Sequence, residues 1–324
     1  CSLCGLCKEF CVGAYDMPTL VRAAREDLVH SGLAPSGAML MRESIREGGT
    51  PWDSQLLRKL GAGVVNSRGA SPGLADRSQS PVLLFAGCAA RSLRPSIIDA
   101  MVKILDVAHV RFTMLENEVC CGLPLYDEGF REEAREQAVG IGASIASTEC
   151  KVLVSLCPTC VWAFRDVYPD LGVNLGGELK ILHSSEFIFR LLTDGGLNAG
   201  PRADGVPHAS DKFVVTYHDP CSMGRILHKY ETPREVIGSL PGVELREMRW
   251  ARDHAHCCGG ASVHTLYPEV GEPIATTRAG EALETGAGVL VSTCPSCEHH
   301  LSEAAGDGLE VLDVAELVAS ILEL

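Results

Sequence analysis

"KVLVSLCPTC" (151–160) and "GVLVSTCPSC" (288–297) carry the reading of the whole chain. Each is a short apolar run that ends in Cys-Pro-x-Cys. An apolar run of this length, rich in β-branched residues and closed by a turn signal, reads as a strand buried on both faces. Proline directly after the first cysteine fits the opening turn of a helix, where its missing N–H would have no partner anyway. The two stretches therefore predict strand, cysteine, helix and second cysteine, twice over.

The repetition extends beyond them. Cys88, the pair Cys120-Cys121 and Cys157/Cys160 form one series; Cys221, the pair Cys257-Cys258 and Cys294/Cys297 form a second, offset by 133 to 137 residues. Gly122 and Gly259 follow the vicinal pairs. "LKILHSSEFIFRLL" (179–192) and "LEVLDVAELVASIL" (309–322) share one apolar pattern. Five cysteines in register over such a period mark a duplicated unit. In the first unit "PVLLFAG" (81–87), "VRFTML" (110–115) and "KVLVSL" (151–156) read as strands. A helix is expected over 95–108, with Ile97, Ile98, Met101, Val102, Ile104 and Leu105 on one face, and another over 127–147. The second unit repeats this with strands at 212–217, 243–248 and 288–293 and helices near 232–240 and 270–286. Such alternation predicts an α/β fold with parallel-type sheets. Polar stretches at 66–80 and 193–211 divide the chain into a cysteine-rich head (1–65), a first unit (80–192), a linker (193–211) and a second unit (212–324).

Net charge is −14, from 42 acidic and 28 basic residues, which argues against a nucleic-acid partner. No apolar run approaches the roughly 18 residues of a membrane span. Fifteen cysteines in a chain of 324 residues without a secretory leader read as metal-bound thiolates in a reducing compartment. The expected location is the cytoplasm, with peripheral docking on a membrane complex also compatible. The chain begins at Cys1, inside a cysteine motif, so sequence upstream is expected. No Lys-Ser/Thr follows Gly259-Gly260, and no Gly-x-Gly-x-x-Gly follows a strand. With no nucleotide or flavin motif, electrons are expected to enter from a partner.

Cys88, Cys157, Cys221 and Cys294 each follow a strand, at the carboxyl edge where α/β sheets build ligand sites. The helix N-termini at Cys-Pro-x-Cys turn free N–H groups toward an anionic cluster. Side chains of a vicinal pair point apart in a strand, so Cys120-Cys121 and Cys257-Cys258 require a bend. Zinc closes on four ligands, and five per unit fit it poorly. Iron–sulfur clusters are held by thiolates and are the favoured reading; zinc and redox dithiols remain as alternatives. The head, Cys1, Cys4, Cys7 and Cys11, has the C-x2-C-x2-C-x3-C spacing of bacterial ferredoxins. Its companion motif is absent and Val12 replaces the usual proline, so a cluster on Cys1, Cys4 and Cys7 is expected to lack a ligand here. Cys150 reads as a small core residue. His218-Asp219-Pro220 reads first as a strand-ending turn, and second as a proton donor or ligand partner. His254, His256 and His264 read first as solvated loop residues and second as groups that tune a potential or deliver protons, and His299-His300 as facing water. The run 127–137 reads as an exposed helix with i,i+4 ion pairs.

The patterns C-x31-CCG-x34-CPTC and C-x35-CCG-x34-CPSC resemble the CCG cysteine-rich domains of heterodisulfide reductase catalytic subunits. "YHDPCSMGR" (217–225) and "REVIGSLPGVELREM" (234–248) resemble the second such domain. "CSLCGLC" (1–7) with "GGTPWD" (48–53) is similar to the ferredoxin segment of fused forms. The resemblance implies one non-cubane [4Fe–4S] cluster on each five-cysteine set. It places the two clusters face to face across paired domains, with a substrate disulfide between them and electrons arriving through ferredoxin-type clusters. It also implies a flavoprotein, ferredoxin-type or membrane-subunit partner. Similar domains serve lactate, glycolate and glycerol-3-phosphate oxidation and membrane complexes of sulfur metabolism, where they relay electrons. The expectation is an iron–sulfur oxidoreductase subunit of heterodisulfide-reductase type, with electron relay as the alternative.

Overall fold

The computed structural model describes residues 1–13, 15–52, 81–198, 213–260 and 266–324. Its framework is two four-stranded parallel sheets. The first contains β1 (Val82–Phe85), β2 (Phe112–Thr113), β3 (Val152–Ser155) and β4 (Lys180–His183), in spatial order β2-β1-β3-β4. The second contains β5 (Phe213–Tyr217), β6 (Val243–Leu245), β7 (Val289–Ser292) and β8 (Glu310–Asp313), in order β6-β5-β7-β8. Register repeats as well: Val82 lies opposite Val152, and Val215 opposite Val289. Strand order reverses between β1 and β3 and between β5 and β7, which creates a crevice at the carboxyl edge of each sheet.

β4 and β8 are strands beyond those expected from the sequence. Each runs straight into a helix whose start is fixed by a reciprocal cap. The His183 ring accepts from Ser185 N while Glu186 accepts from His183 N; Asp313 and Glu316 do the same at the second site. The acidic stretch forms two helices, Leu123–Asp127 and Arg131–Ala146, rather than one. Its first carboxylates are docked rather than solvated. Asp127 pairs with Arg22 at 2.7 Å and Glu128 with Arg25 at 3.0 Å, both from the head helix Met17–His30.

The strands alternate between two cores, as the pleat requires. Val82 and Leu84 face a layer between the two sheets, whereas Leu83 and Phe85 face outward. That middle layer is shared. Helix Pro95–Val107 of the first unit packs on Val314–Ile321 of the second, and Ser184–Thr193 packs on Glu231–Gly238. Each fully buried aliphatic side chain there stabilises the fold by roughly 1.5–3 kcal/mol. The outer face of the first sheet is covered by Arg131–Ala146 and by head helix Ser36–Gly48, through Ala38, Met41 and Ile45. The head has three helices, starting with Leu6–Phe10, and no strand among its described residues. Residues 53–65 of the head and 199–211 of the linker lie outside the described residues. No helix among the described residues is long and apolar enough to cross a membrane.

Candidate metal centre

Cys157 ends its strand segment in an extended conformation (φ −119°, ψ 121°), and Pro158 opens helix Pro158–Trp162. Cys294 does the same (φ −149°, ψ 117°) ahead of Pro295–Ala305. Cys160 and Cys297 therefore sit in the first helical turns. Cys88 opens helix Cys88–Leu93 just past β1, and Cys221 precedes a wide helical turn, Ser222–Ile226. Past the vicinal pairs the chain bends through Gly122 (φ +82°) and Gly259 (φ +72°). A Cβ on Gly259 would lie 2.3 Å from the Gly271 carbonyl oxygen. The bend therefore demands glycine twice, for its backbone angle and for the close approach of helix Pro268–Leu283.

These elements bring all ten cysteines to the wall of one cavity between the two units, enclosing about 1010 Å³ with its open mouth included. Met41, Trp52, Trp162, Ile226 and Arg22 are among the other residues that line it. The two sets meet: Cys157 and Cys294 are hydrogen-bonded neighbours, and Thr159 Oγ1 lies 3.1 Å from Ser222 Oγ.

The donor chemistry suits soft, thiophilic metal. All fifteen cysteines are free. Cys258 and Cys297 sulfurs stand 3.1 Å apart, beyond a disulfide bond of roughly 2 Å. Crowded, buried sulfurs trade protons among themselves. Hydrogen bonds from Cys120 and Cys160 hold Cys121 well below the ordinary thiol range, and hydrogen bonding with Cys121 pushes Cys120 and Cys160 up. Hydrogen bonds from Cys257 and Cys297 lower Cys258 in the same way. Thiolates packed this way in a poorly solvated wall call for a cation to share, which cluster iron supplies.

Braces hold both cysteine-bearing bends, and no sequence motif announces them. Arg91 donates to Glu118 O at 2.9 Å, and Arg225 to Ala255 O at 2.8 Å. Both carbonyls lie two residues before a vicinal pair. The wider turn after Cys221 shifts its arginine one position along the chain, which hides the equivalence. The buried Glu118 carboxylate accepts from Ala86 N at 3.0 Å and Gly87 N at 2.7 Å, and burial pushes it up to about 7. In the second unit Asp219 braces instead: it takes a bidentate bond from Arg234 at 2.7 and 2.8 Å and one from Arg252 N at 2.8 Å.

Several histidines depart from their expected settings. His218 is more than a turn residue. It is buried, accepts at Nδ1 from Arg278 Nε at 3.0 Å, and has a ring nitrogen grouped with the Cys258 and Cys297 sulfurs within 4.8 Å. Burial and the Arg278 charge hold it well below the usual imidazole range. His256 is not a free loop residue: its Nδ1 meets Glu281, and its ring stacks on Trp250 at 5.2 Å. His254 is half-exposed and pairs with Asp253; His264 lies outside the described residues. His300 is buried, not water-facing, because it shares with Cys297 and Leu301 the inner face of its helix. Cys150 lies at the margin of the first unit's outer core.

The head contributes one sulfur. Cys4 is hydrogen-bonded to Cys257, which together with burial pushes its thiol up, and Arg225 Nε donates to Cys4 O at 2.7 Å. Cys1 and Cys7 are exposed, and Cys11 is partly buried.

The comparisons accord with this arrangement. A family model described as "Cysteine-rich domain", CCG, matches residues 82–165 and 215–302. A component of the dihydromethanophenazine:CoB–CoM heterodisulfide reductase of Methanosarcina acetivorans is 30% identical over 336 residues, covering 100% of this chain and 78% of that protein. A component of the fumarate reductase (CoM/CoB) of Methanothermobacter marburgensis is 26% identical, covering 98% of this chain and 60% of its own length. The EtfAB:quinone oxidoreductase of Syntrophomonas wolfei is 25% identical, covering 100% and 46%. With both units matched and a heterodisulfide reductase component aligned along the entire chain, this protein belongs to the CCG cysteine-rich-domain family of iron–sulfur oxidoreductases.

Proposed function

We propose that the chain is the cluster-bearing subunit of a disulfide-reducing complex, and that its substrate, an organic disulfide, enters the cavity between the two cysteine sets. The observation that carries this reading is the convergence of all ten cysteines on that single cavity. One set, Cys88, Cys120, Cys121, Cys157 and Cys160, would hold one non-cubane [4Fe–4S] cluster; Cys221, Cys257, Cys258, Cys294 and Cys297 would hold the other. When bound, such clusters would supply one electron apiece; a disulfide needs two to become two thiolates, and two protons from solvent make these thiols.

The chain's own residues do the rest. The bends after Cys121 and Cys258 fix the sulfurs in place before metal arrives. Met41, Trp52, Trp162 and Ile226 give the cavity apolar walls that exclude water and suit an aliphatic disulfide. Electrons come from a partner protein, and the Cys4–Cys257 contact puts the head beside the second set. On Cys1, Cys4, Cys7 and Cys11 a ferredoxin-type cluster would be the entry point, completed by a further ligand.

The test is oxygen-free purification, with iron and acid-labile sulfide analysis and EPR during reduction. Two clusters in the paired units, and free thiols formed when a disulfide is added to reduced protein, support the proposal. The EtfAB:quinone relative favours one second reading, electron relay without disulfide chemistry. Clusters that reoxidise with quinone yet leave every disulfide intact would decide for relay.

A further inference from the structure

The two units are equivalent in topology but not in what stands behind their sulfurs. Val82 and Val215 hold matching positions, as do helices Arg131–Ala146 and Pro268–Leu283. In this frame His218 occupies the place of Phe85, Arg278 that of Ile141, Glu281 that of Ser144, and His256 that of Val119. At the matching positions behind the first set the side chains are apolar: Phe85 and Ile141 are buried in one core, and Phe85 meets Phe164 edge-on at 4.9 Å. Behind the second set runs a polar line. His218 Nδ1 accepts from Arg278 Nε at 3.0 Å, Arg278 donates to Glu281 at 2.6 Å, and Glu281 meets His256, which is 34% exposed.

This line fixes where the His218 proton sits. A guanidinium N–H only donates, so Nδ1 carries a lone pair. The ring's single proton is then on Nε2. That nitrogen is fully buried and has no hydrogen-bond partner among the described residues, although an unmet buried donor costs roughly 1–3 kcal/mol. A nitrogen of this ring and the sulfurs of Cys258 and Cys297 lie within 4.8 Å of one another. The acceptor that fits is electron-rich sulfur.

We propose that His218 donates its Nε2–H to a sulfur of the second centre, thiolate or cluster sulfide, and thereby gives that centre the higher reduction potential of the two. This rests on the reading that both sets hold iron–sulfur clusters. A hydrogen bond to sulfur stabilises the reduced, more negative state, which is how a protein raises a cluster's potential. The first centre, backed by Phe85, has no such donor at the matching position. Arg278 acts through His218 as a positioning residue that fixes its tautomer. The duplicated sites are therefore a graded pair, and the first electron delivered settles on the second centre.

The experiment is an EPR-monitored redox titration of oxygen-free holoprotein, comparing wild type with His218→Phe, which copies the first unit, and His218→Gln, which keeps a side-chain N–H. In H218F one midpoint falls far enough to change its reduced-to-oxidised ratio at least tenfold, 59 mV for one electron, while the other stays put. H218Q falls between. Both midpoints unmoved, or both moved alike, overturns the proposal. Wild-type protein carrying 15N-histidine gives a second readout that needs no variant. Pulsed ENDOR should show a weakly coupled nitrogen and an exchangeable proton at one cluster. Absence of both overturns the proposal, as does a strongly coupled nitrogen, which would make His218 a ligand. Wild type lacking iron refutes the cluster reading itself; full iron with an unshifted midpoint refutes only this inference.

Discussion

At the scale of single residues, the site is a problem of aiming sulfur. The vicinal pair needs a bend that only glycine permits at Gly259, where a methyl would meet the Gly271 oxygen at 2.3 Å. Gly259→Ala is expected to destabilise by at least about 1–2 kcal/mol from its backbone angle alone, and to strip iron from the second set while the first keeps its share. Chemical denaturation and iron analysis of the same preparation check both. Cys258→Ser should leave the fold and remove roughly half of the cavity-bound iron. The cysteines are legible in the sequence because their spacing is covalent and repeats. Asp219, Glu118, Arg91 and Arg225 are not. The partners that brace the bends lie 27 to 33 positions away in the chain, at atoms that no spacing rule names.

At the scale of elements, the strongest apolar runs, β1, β3, β5 and β7, are legible because a central parallel strand is hydrophobic on both faces. Of the edge strands, β2 and β6 fall within the runs 110–115 and 243–248 but are shorter than them, whereas β4 and β8 hide within apolar stretches shared with the helices they enter. The burial of His300 escapes the sequence for a similar reason: the period of Pro295–Ala305 is plain, but which face turns inward depends on the other unit. One cross-unit contact there is testable. Arg94 forms an ion pair with Glu298, a wholly buried carboxylate that desolvation pushes up to about 9. Arg94→Ala leaves that carboxyl, held neutral near pH 7, without its hydrogen-bond partner, at an expected cost of about 1–3 kcal/mol. Arg94→Met combined with Glu298→Gln should recover much of the loss in urea titrations.

At the scale of the molecule, metal and fold are coupled. Ten cysteines in the wall between two units mean that cluster binding adds to the stability of their junction. Oxygen-free chelation is expected to lower the melting temperature and broaden the transition, measured by calorimetry on the same sample before and after reconstitution. The middle layer has an evolutionary consequence. Each unit lays two helices against the other, and the pairing is reciprocal: 95–107 on 314–321, and 184–193 on 231–238. An ancestral gene encoding one such unit would have met its own copy in the same embrace, as a homodimer with identical halves. Tandem fusion preserved that contact and broke its symmetry, leaving each half free to diverge in the atoms behind its sulfurs.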